Sequence, residues 1–369
     1  MSTSLLSPSR SRPRRWTPAQ AGWIGVDIGF RATRIAQLER RGGLTTVRAA
    51  WQFPTPGSPE TSLWHHVDET FERIAREIGS LRPMLRGRGV ALSLPFEQTP
   101  LRMIDVPRSD PAEMRSMIRE ELAAEFPDEE LCFDYWETTP RSADETASLA
   151  VTMLPARQAQ RLARRIAAQR LDCHVIDSGL CALARATRES ATGCGDEGKT
   201  TLAVDLGWTS TRLLLTQGGE PRFCRVLPDS GCRHWVQRLV ERFQLSESEA
   251  CSVLEKLGIR SGEKSKRVGP ASEIRSCLEP VLLQLTHEMQ RTIQFVRRQL
   301  ADQTPTSVCL FGGGAQIGGI EAQLAERLQL PTACWGPSSA ASSGPAPAAS
   351  GLATARALSA LAWEETRCA

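Results

Sequence analysis

Residues Thr201–Thr216 read TLAVDLGWTSTRLLLT, and the rest of the chain can be arranged around them. Leu202, Val204 and Leu206 alternate with Ala203 and Asp205, the period of a strand. A polar turn, Gly207–Thr211, breaks the run before Leu213–Leu215 resumes it. Gly207 allows close approach of backbone, and Thr209, Ser210 and Thr211 supply hydroxyl and N–H groups, which suits the turn to cradling an anion such as phosphate. Asp205 at its entrance is placed to hold a hydrated Mg²⁺. The same grammar occurs earlier in WIGVDIGFRATRIAQL, Trp23–Leu38, where Asp27, Gly29, Arg31, Thr33 and Arg34 fall in and just after the turn. Two copies imply two related halves facing one ligand. A third signal lies in VCLFGGGAQIGGI, Val308–Ile320, where an apolar strand meets Gly312, Gly313 and Gly314 and a helix follows over Ile320–Leu328.

Taken singly, such motifs are more often an ordinary hairpin or loop. In this order, they resemble the phosphate-1, phosphate-2 and adenosine motifs of the actin/Hsp70/sugar-kinase superfamily. The resemblance implies an α/β, actin-like fold of two duplicated α/β domains, with ATP and Mg²⁺ as ligands. Asp27 and Asp205 would then position metal and water, and the glycine turns would bind phosphates.

The 369 residues suffice for two domains with their own cores, and 41% hydrophobic content argues for a globular chain. A formal net charge of +3, from 45 basic and 42 acidic residues, is too balanced to indicate nucleic-acid binding. The exception is the N-terminus, where Arg10, Arg12, Arg14 and Arg15 stand among Ser and Pro without an apolar core. This reads as a flexible basic arm, not a signal peptide. Eleven cysteines are dispersed without a C-x-x-C pair, and several fall inside apolar runs, so they read as small buried hydrophobes in a reducing compartment, without disulfides or zinc. The histidines lack ligand spacing. With no apolar run of membrane-spanning length, the expected location is cytoplasmic or peripheral.

Between the signature turns the chain reads as alternating strands and helices. Thr45–Trp51 continues the first hairpin, Leu63–Ile78 is helical, and Gly89–Pro95 is a buried strand ended by proline. From Phe96 the pattern becomes strand, helix, strand, strand, helix. Its first helix opens with Asp110 as N-cap, Pro111 at N1 and Glu113 at N3, and carries Met114, Ile118 and Leu122 at helical spacing. Ser246–Glu249 reads as a capping box. Ser276–Gln299 is the strongest amphipathic helix, Gly336–Gly351 a Ser/Ala/Pro/Gly linker, and Leu352–Trp363 a helix returning to the body.

With these pieces in order, about Gly22 to Trp363 resembles the PilM family of type IV pilus assembly proteins, relatives of the cell-division protein FtsA. The resemblance rests on the ending Ile35-Ala-Gln-Leu38, on Ile104-Asp-Val-Pro107, on Ile118–Pro127 with Phe133-Asp-Tyr135, on Val175-Ile-Asp177 with Cys181–Ala184, and on Phe311–Ile320 with Glu326–Pro331. It implies a basic arm over residues 1–21, a first actin-like domain over 22–95 and 173–192, and an inserted FtsA/PilM-type subdomain over 96–172. A second domain over 193–335, with a small subdomain at 222–275, a linker at 336–351 and a C-terminal helix over 352–369 complete it.

Departures from the family pattern gather in the turns. Small hydroxyl residues are replaced by Phe30 and Arg31, a lysine by Arg34, and a small residue by Trp208. The family's Ala-x-x-x-Lys becomes Ala250–Leu254, with Lys256 the nearest lysine. Bulk here blocks phosphate, or Arg31 clamps it through charge-assisted bonds; both readings stay open. The first function class is therefore a cytoplasmic actin-like component of a type IV pilus, or related type II secretion, inner-membrane platform. It binds ATP, is at most a slow ATPase, and reaches the membrane through the N-terminal peptide of a PilN-like protein. The resemblance places that peptide between the inserted subdomain and the first domain, with Met114, Ile118 and Leu122 as candidate contacts or as subdomain core. The second class is a nucleotide-free scaffold, or pseudo-ATPase, of the same fold. A metabolic kinase is the remote third.

Overall fold

Each Asp-Gly turn joins two strands whose alternate residues are buried on opposite faces, so both sheets are covered by helices on both sides. The computed structural model describes residues 18–57, 63–138, 145–188, 198–260, 269–300, 303–336 and 349–363. The arginines of the basic arm, most of the 190–199 stretch before the second hairpin, residues 261–268 and most of the 336–351 linker lie outside the described residues.

The first half runs β1 (Gln20–Ala21), β2 (Ile24–Ile28), β3 (Ala32–Arg41), β4 (Leu44–Pro54), α1 (Val67–Leu81) and β5 (Gly89–Leu94). Next come β6 (Leu101–Pro107), α2 (Pro111–Glu125), β7 (Leu131–Glu137) and β8 (Thr146–Pro155), before α3 (Ala156–Ala168), β9 (Asp172–Ser178) and α4 (Gly179–Arg188). The second half comprises β10 (Thr200–Leu206), β11 (Thr211–Gln217), β12 (Glu220–Leu227), α5 (Cys232–Phe243), α6 (Glu247–Lys256) and α7 (Pro270–Gln299). It closes with β13 (Ser307–Phe311), α8 (Ile320–Leu328), β14 (Thr332–Cys334) and α9 (Ala349–Ala360).

The two large sheets repeat one topology. Their orders are β4-β3-β2-β5-β9, with short β1 also on β3, and β12-β11-β10-β13-β14. In each, an antiparallel three-stranded meander is extended by two parallel strands. Leu202, Val204 and Leu206 face the core built by α5, α6, α7 and α8, while Ala203 faces a second core with α4 and α9. The alternation read in Thr201–Leu206 is thus a strand buried on two unlike sides.

α9 seats on the first sheet because two glycines make room. A Cβ on Gly25 would stand 2.0 Å from the Ala355 carbonyl oxygen, and one on Gly22 2.3 Å from that of Ser359. Leu38 N donates to Ser359 Oγ and Trp23 N to Ser359 O, closing the contact.

The small sheet, β6-β8-β7, carries α2 on one face, with the Asp110 carboxylate accepting from Ala112 N and Glu113 N as the sequence expects. One boundary is corrected. α3, drawn within the 96–172 insertion, lays Leu162 and Ile166 into the core of the first sheet beside Val26, Ile28 and Ile78. It is the crossover between parallel strands β5 and β9, the place α8 holds between β13 and β14, so the insertion returns to the first half at Ala156.

Candidate functional site: a cleft between two Asp-Gly turns

Strand register builds the site. β2 and β3 set Asp27 opposite Arg34, and β10 and β11 set Asp205 opposite Arg212. Directly opposed residues share a sheet face, so each carboxylate meets a guanidinium. Asp27 Oδ2 lies 3.6 Å from Arg34 Nη1, and Asp205 Oδ2 lies 2.7 Å from Arg212 Nη1. The turns match in detail. A Cβ on Gly29 would meet the Ala32 carbonyl oxygen at 2.8 Å and Arg34 Nη1 at 3.7 Å; on Gly207, the Ser210 carbonyl oxygen at 2.8 Å and Arg212 Nη1 at 3.6 Å. Only glycine fits either turn.

Both turns and the glycine strand end converge on one cavity of about 730 Å³. Asp27, Gly29, Arg31, Arg34, Asp205, Gly207 and Gly312–Gly314 all line it, as do the N-terminal turn of α4 and the first residues of α9. Gly312 has φ +79°, and a Cβ there would come within 2.4 Å of Asp205 Oδ1, so the glycine strand end rests directly on the second aspartate.

Charges cross the cleft. Arg31 Nη2 reaches Glu247 Oε1 at 2.9 Å, and its guanidinium stacks 3.7 Å from the centre of the Trp208 ring. Arg212 Nη2 donates to both carboxylate oxygens of Glu97 at 3.0 and 3.1 Å. Burial opposes the charge of Arg212, but Asp205 and Glu97 outweigh it and leave the pKa above its ordinary value. For Asp27, burial is the largest influence and raises the pKa, with Arg34 and a 2.8 Å hydrogen bond from Ser93 Oγ opposing.

Several expected contacts do not reach the cavity. Thr33 is fully buried and bonds Thr55 Oγ1, which itself donates to the Gly29 carbonyl; Thr211 Oγ1 donates to the Ser230 carbonyl. Ser210 is buried with its hydroxyl toward Glu97, and Thr209 also lies off the cavity wall. The Thr33, Thr55 and Thr211 hydroxyls brace the turns. On α6 it is Glu255, not Lys256, that lines the cavity, because one residue along a helix turns the side chain by about 100°. Met114, Ile118 and Leu122 fill the core between α2 and the small sheet and present no apolar face to a partner.

The sequence reading missed Arg212 and Glu97. Arg212 had a signal: it follows Asp205 by seven residues, as Arg34 follows Asp27. Glu97 sits in a short 3₁₀ turn after Pro95 and belongs to no motif.

A divalent cation fits this donor set poorly. Asp27 is held by Ser93 and Arg34, Asp205 lies between Arg212 and Gly312, and among the described residues no group of three His, Cys, Asp or Glu side chains could hold a metal ion.

Two sheets of one topology around an inter-sheet cleft, with a small inserted sheet, define an actin-like protein. A PilM–PilN type IV pilus biogenesis complex contains a chain that superposes with a TM-score of 0.70 at 22% identity, over 92% of this chain and 98% of that one. The ethanolamine utilization protein EutJ from Carboxydothermus hydrogenoformans follows at TM-score 0.54 and 14% identity, over 93% and 90%. MreB5 of Spiroplasma citri bound to ADP superposes at TM-score 0.51 and 12% identity, over 94% and 96%. The model of the family "Type IV pilus assembly protein PilM" matches residues 25–363, and the chain belongs to that family. No curated protein matches the sequence.

Proposed function

We propose that this protein is a component of a type IV pilus assembly platform, or of a related type II secretion platform, that docks the N-terminal peptide of a PilN-like membrane protein on its small sheet. The family match carries the reading, and one surface supports it. Opposite the α2 face, strand register aligns Met103, Ala150 and Trp136 in a row across β6, β8 and β7. Trp136 Nε1 is tied to the Pro221 carbonyl at 2.9 Å, whereas Met103 is 56% exposed. β6 pairs on one side alone among the described strands, so its outer N–H and C=O groups can take an extended peptide while Met103 supplies an apolar contact. No described helix is long and apolar enough to cross a membrane.

In a peptide-binding titration followed by fluorescence anisotropy, Met103→Glu is expected to weaken a PilN-like N-terminal peptide by about tenfold or more. Unchanged affinity would remove the β6 surface from the account. The cleft is read as an adenine-nucleotide site, supported by the three motifs on its wall and by its size, within the usual range for ligand pockets. Turnover is slow at most, because both aspartates are held by arginines. The Arg31–Trp208 stack across the turns favours a second reading, a nucleotide-free scaffold, which calorimetry showing no ADP binding would select.

A further inference from the structure

The cleft carries the same pairing twice. In each half, an arginine seven residues after the turn aspartate stands opposite it in the hairpin and takes the carboxylate oxygen that faces it. A guanidinium does not deprotonate in a protein, so these are permanent cations fixed by strand register. A Mg²⁺ ion demands near-octahedral oxygen ligands and keeps several waters. Between Asp27 and Asp205 it would have to displace two guanidinium groups or sit beside them, and like charges at that range repel without much screening in a half-buried cleft.

We propose that this cleft holds its phosphorylated ligand without a divalent cation, the guanidinium groups of Arg34 and Arg212 standing where the cation would bind. The proposal rests on the nucleotide reading above for the identity of the ligand. Arg34 engages Gln52 through Nε at 3.0 Å and Asp27 through Nη1, leaving Nη2 to meet a phosphate oxygen. Arg212 is spent on Asp205 and Glu97 and offsets the Asp205 charge of the second turn. Arg31 is the exchangeable donor: its pair with Glu247 is exposed on both sides, a type of contact that is readily exchanged for a ligand.

The test uses the full chain with manganese(II) as the metal probe and ADP as the nucleotide. Electron paramagnetic resonance reads protein-bound manganese, and calorimetry reads ADP affinity in Mg²⁺ and in EDTA. Wild type is expected to leave manganese unbound by protein, with ADP affinity equal within about threefold in the two conditions. The double variant Arg34→Gln, Arg212→Gln exposes both turn aspartates together with Glu97 and is expected to gain bound manganese. Its fold is checked by circular dichroism. Should it not fold, Arg34→Gln alone leaves the buried Arg212 cluster intact and is expected to move in the same direction. Manganese held by wild type, ADP binding at least tenfold tighter in Mg²⁺, or a folded variant that gains no manganese would each overturn the proposal. Absence of ADP binding in both conditions sinks the nucleotide reading instead, and the manganese comparison between wild type and variant still decides whether the arginines exclude the cation.

Discussion

At the scale of single residues, the cleft is costly to maintain, and the cost has a sign. Burial raises the pKa of Asp27 above its ordinary 3.8 even with Arg34 and Ser93 opposing. The stability linked to its protonated form is therefore fully present below pH 3.8 and is lost as pH rises through the folded-state value. Asp27→Asn keeps an oxygen for Ser93 and carries no charge. Thermal melts across pH should show the variant gaining on wild type as pH rises from 3.8, then holding a constant advantage; a constant difference at every pH would contradict the assignment. Gly312 supplies the opposite case. Its φ of +79° and the 2.4 Å approach to Asp205 leave no room for a Cβ, so Gly312→Ala should lower unfolding free energy by roughly 2–4 kcal/mol in urea titrations.

At the scale of elements, what the sequence disclosed depended on whether local chemistry decided the outcome. Caps and turns are local. Asp110 with Pro111, and Ser246 with Glu249, were legible and form as read. The capping box positions α6, which presents Glu247 to Arg31 and Glu255 to the cleft. Ser246→Ala should cost about 1 kcal/mol of stability, and the fluorescence of Trp208 would report whether the Arg31 contact loosens with it. Tertiary partners were not legible. The period of Leu162 and Ile166 announces a buried helix face without saying which sheet covers it, and it is the first sheet, not the small one, that does. Likewise the Met114, Ile118, Leu122 stripe reads equally as core or docking face, and burial decides for core. The hydroxyls of Thr33 and Thr211 look available in a polar turn, but the Thr55 hydroxyl takes the first and the Ser230 carbonyl the second.

At the scale of the whole molecule, duplication was visible because both halves keep one turn grammar, and the sheets confirm it strand for strand. The cleft followed from the duplication, since equivalent turns of two facing halves meet across the helices α4 and α9. Glu97 was invisible because its role exists only when the halves come together. The small sheet breaks the symmetry and gives the protein a surface that the second half lacks, which is why we propose partner docking there. The most direct test is hydrogen exchange on the full chain with and without the PilN-like N-terminal peptide. The account predicts new protection concentrated at Leu101–Pro107, with the α2 segment Pro111–Glu125 unchanged. Protection confined to the cleft turns, or none on β6, would contradict it.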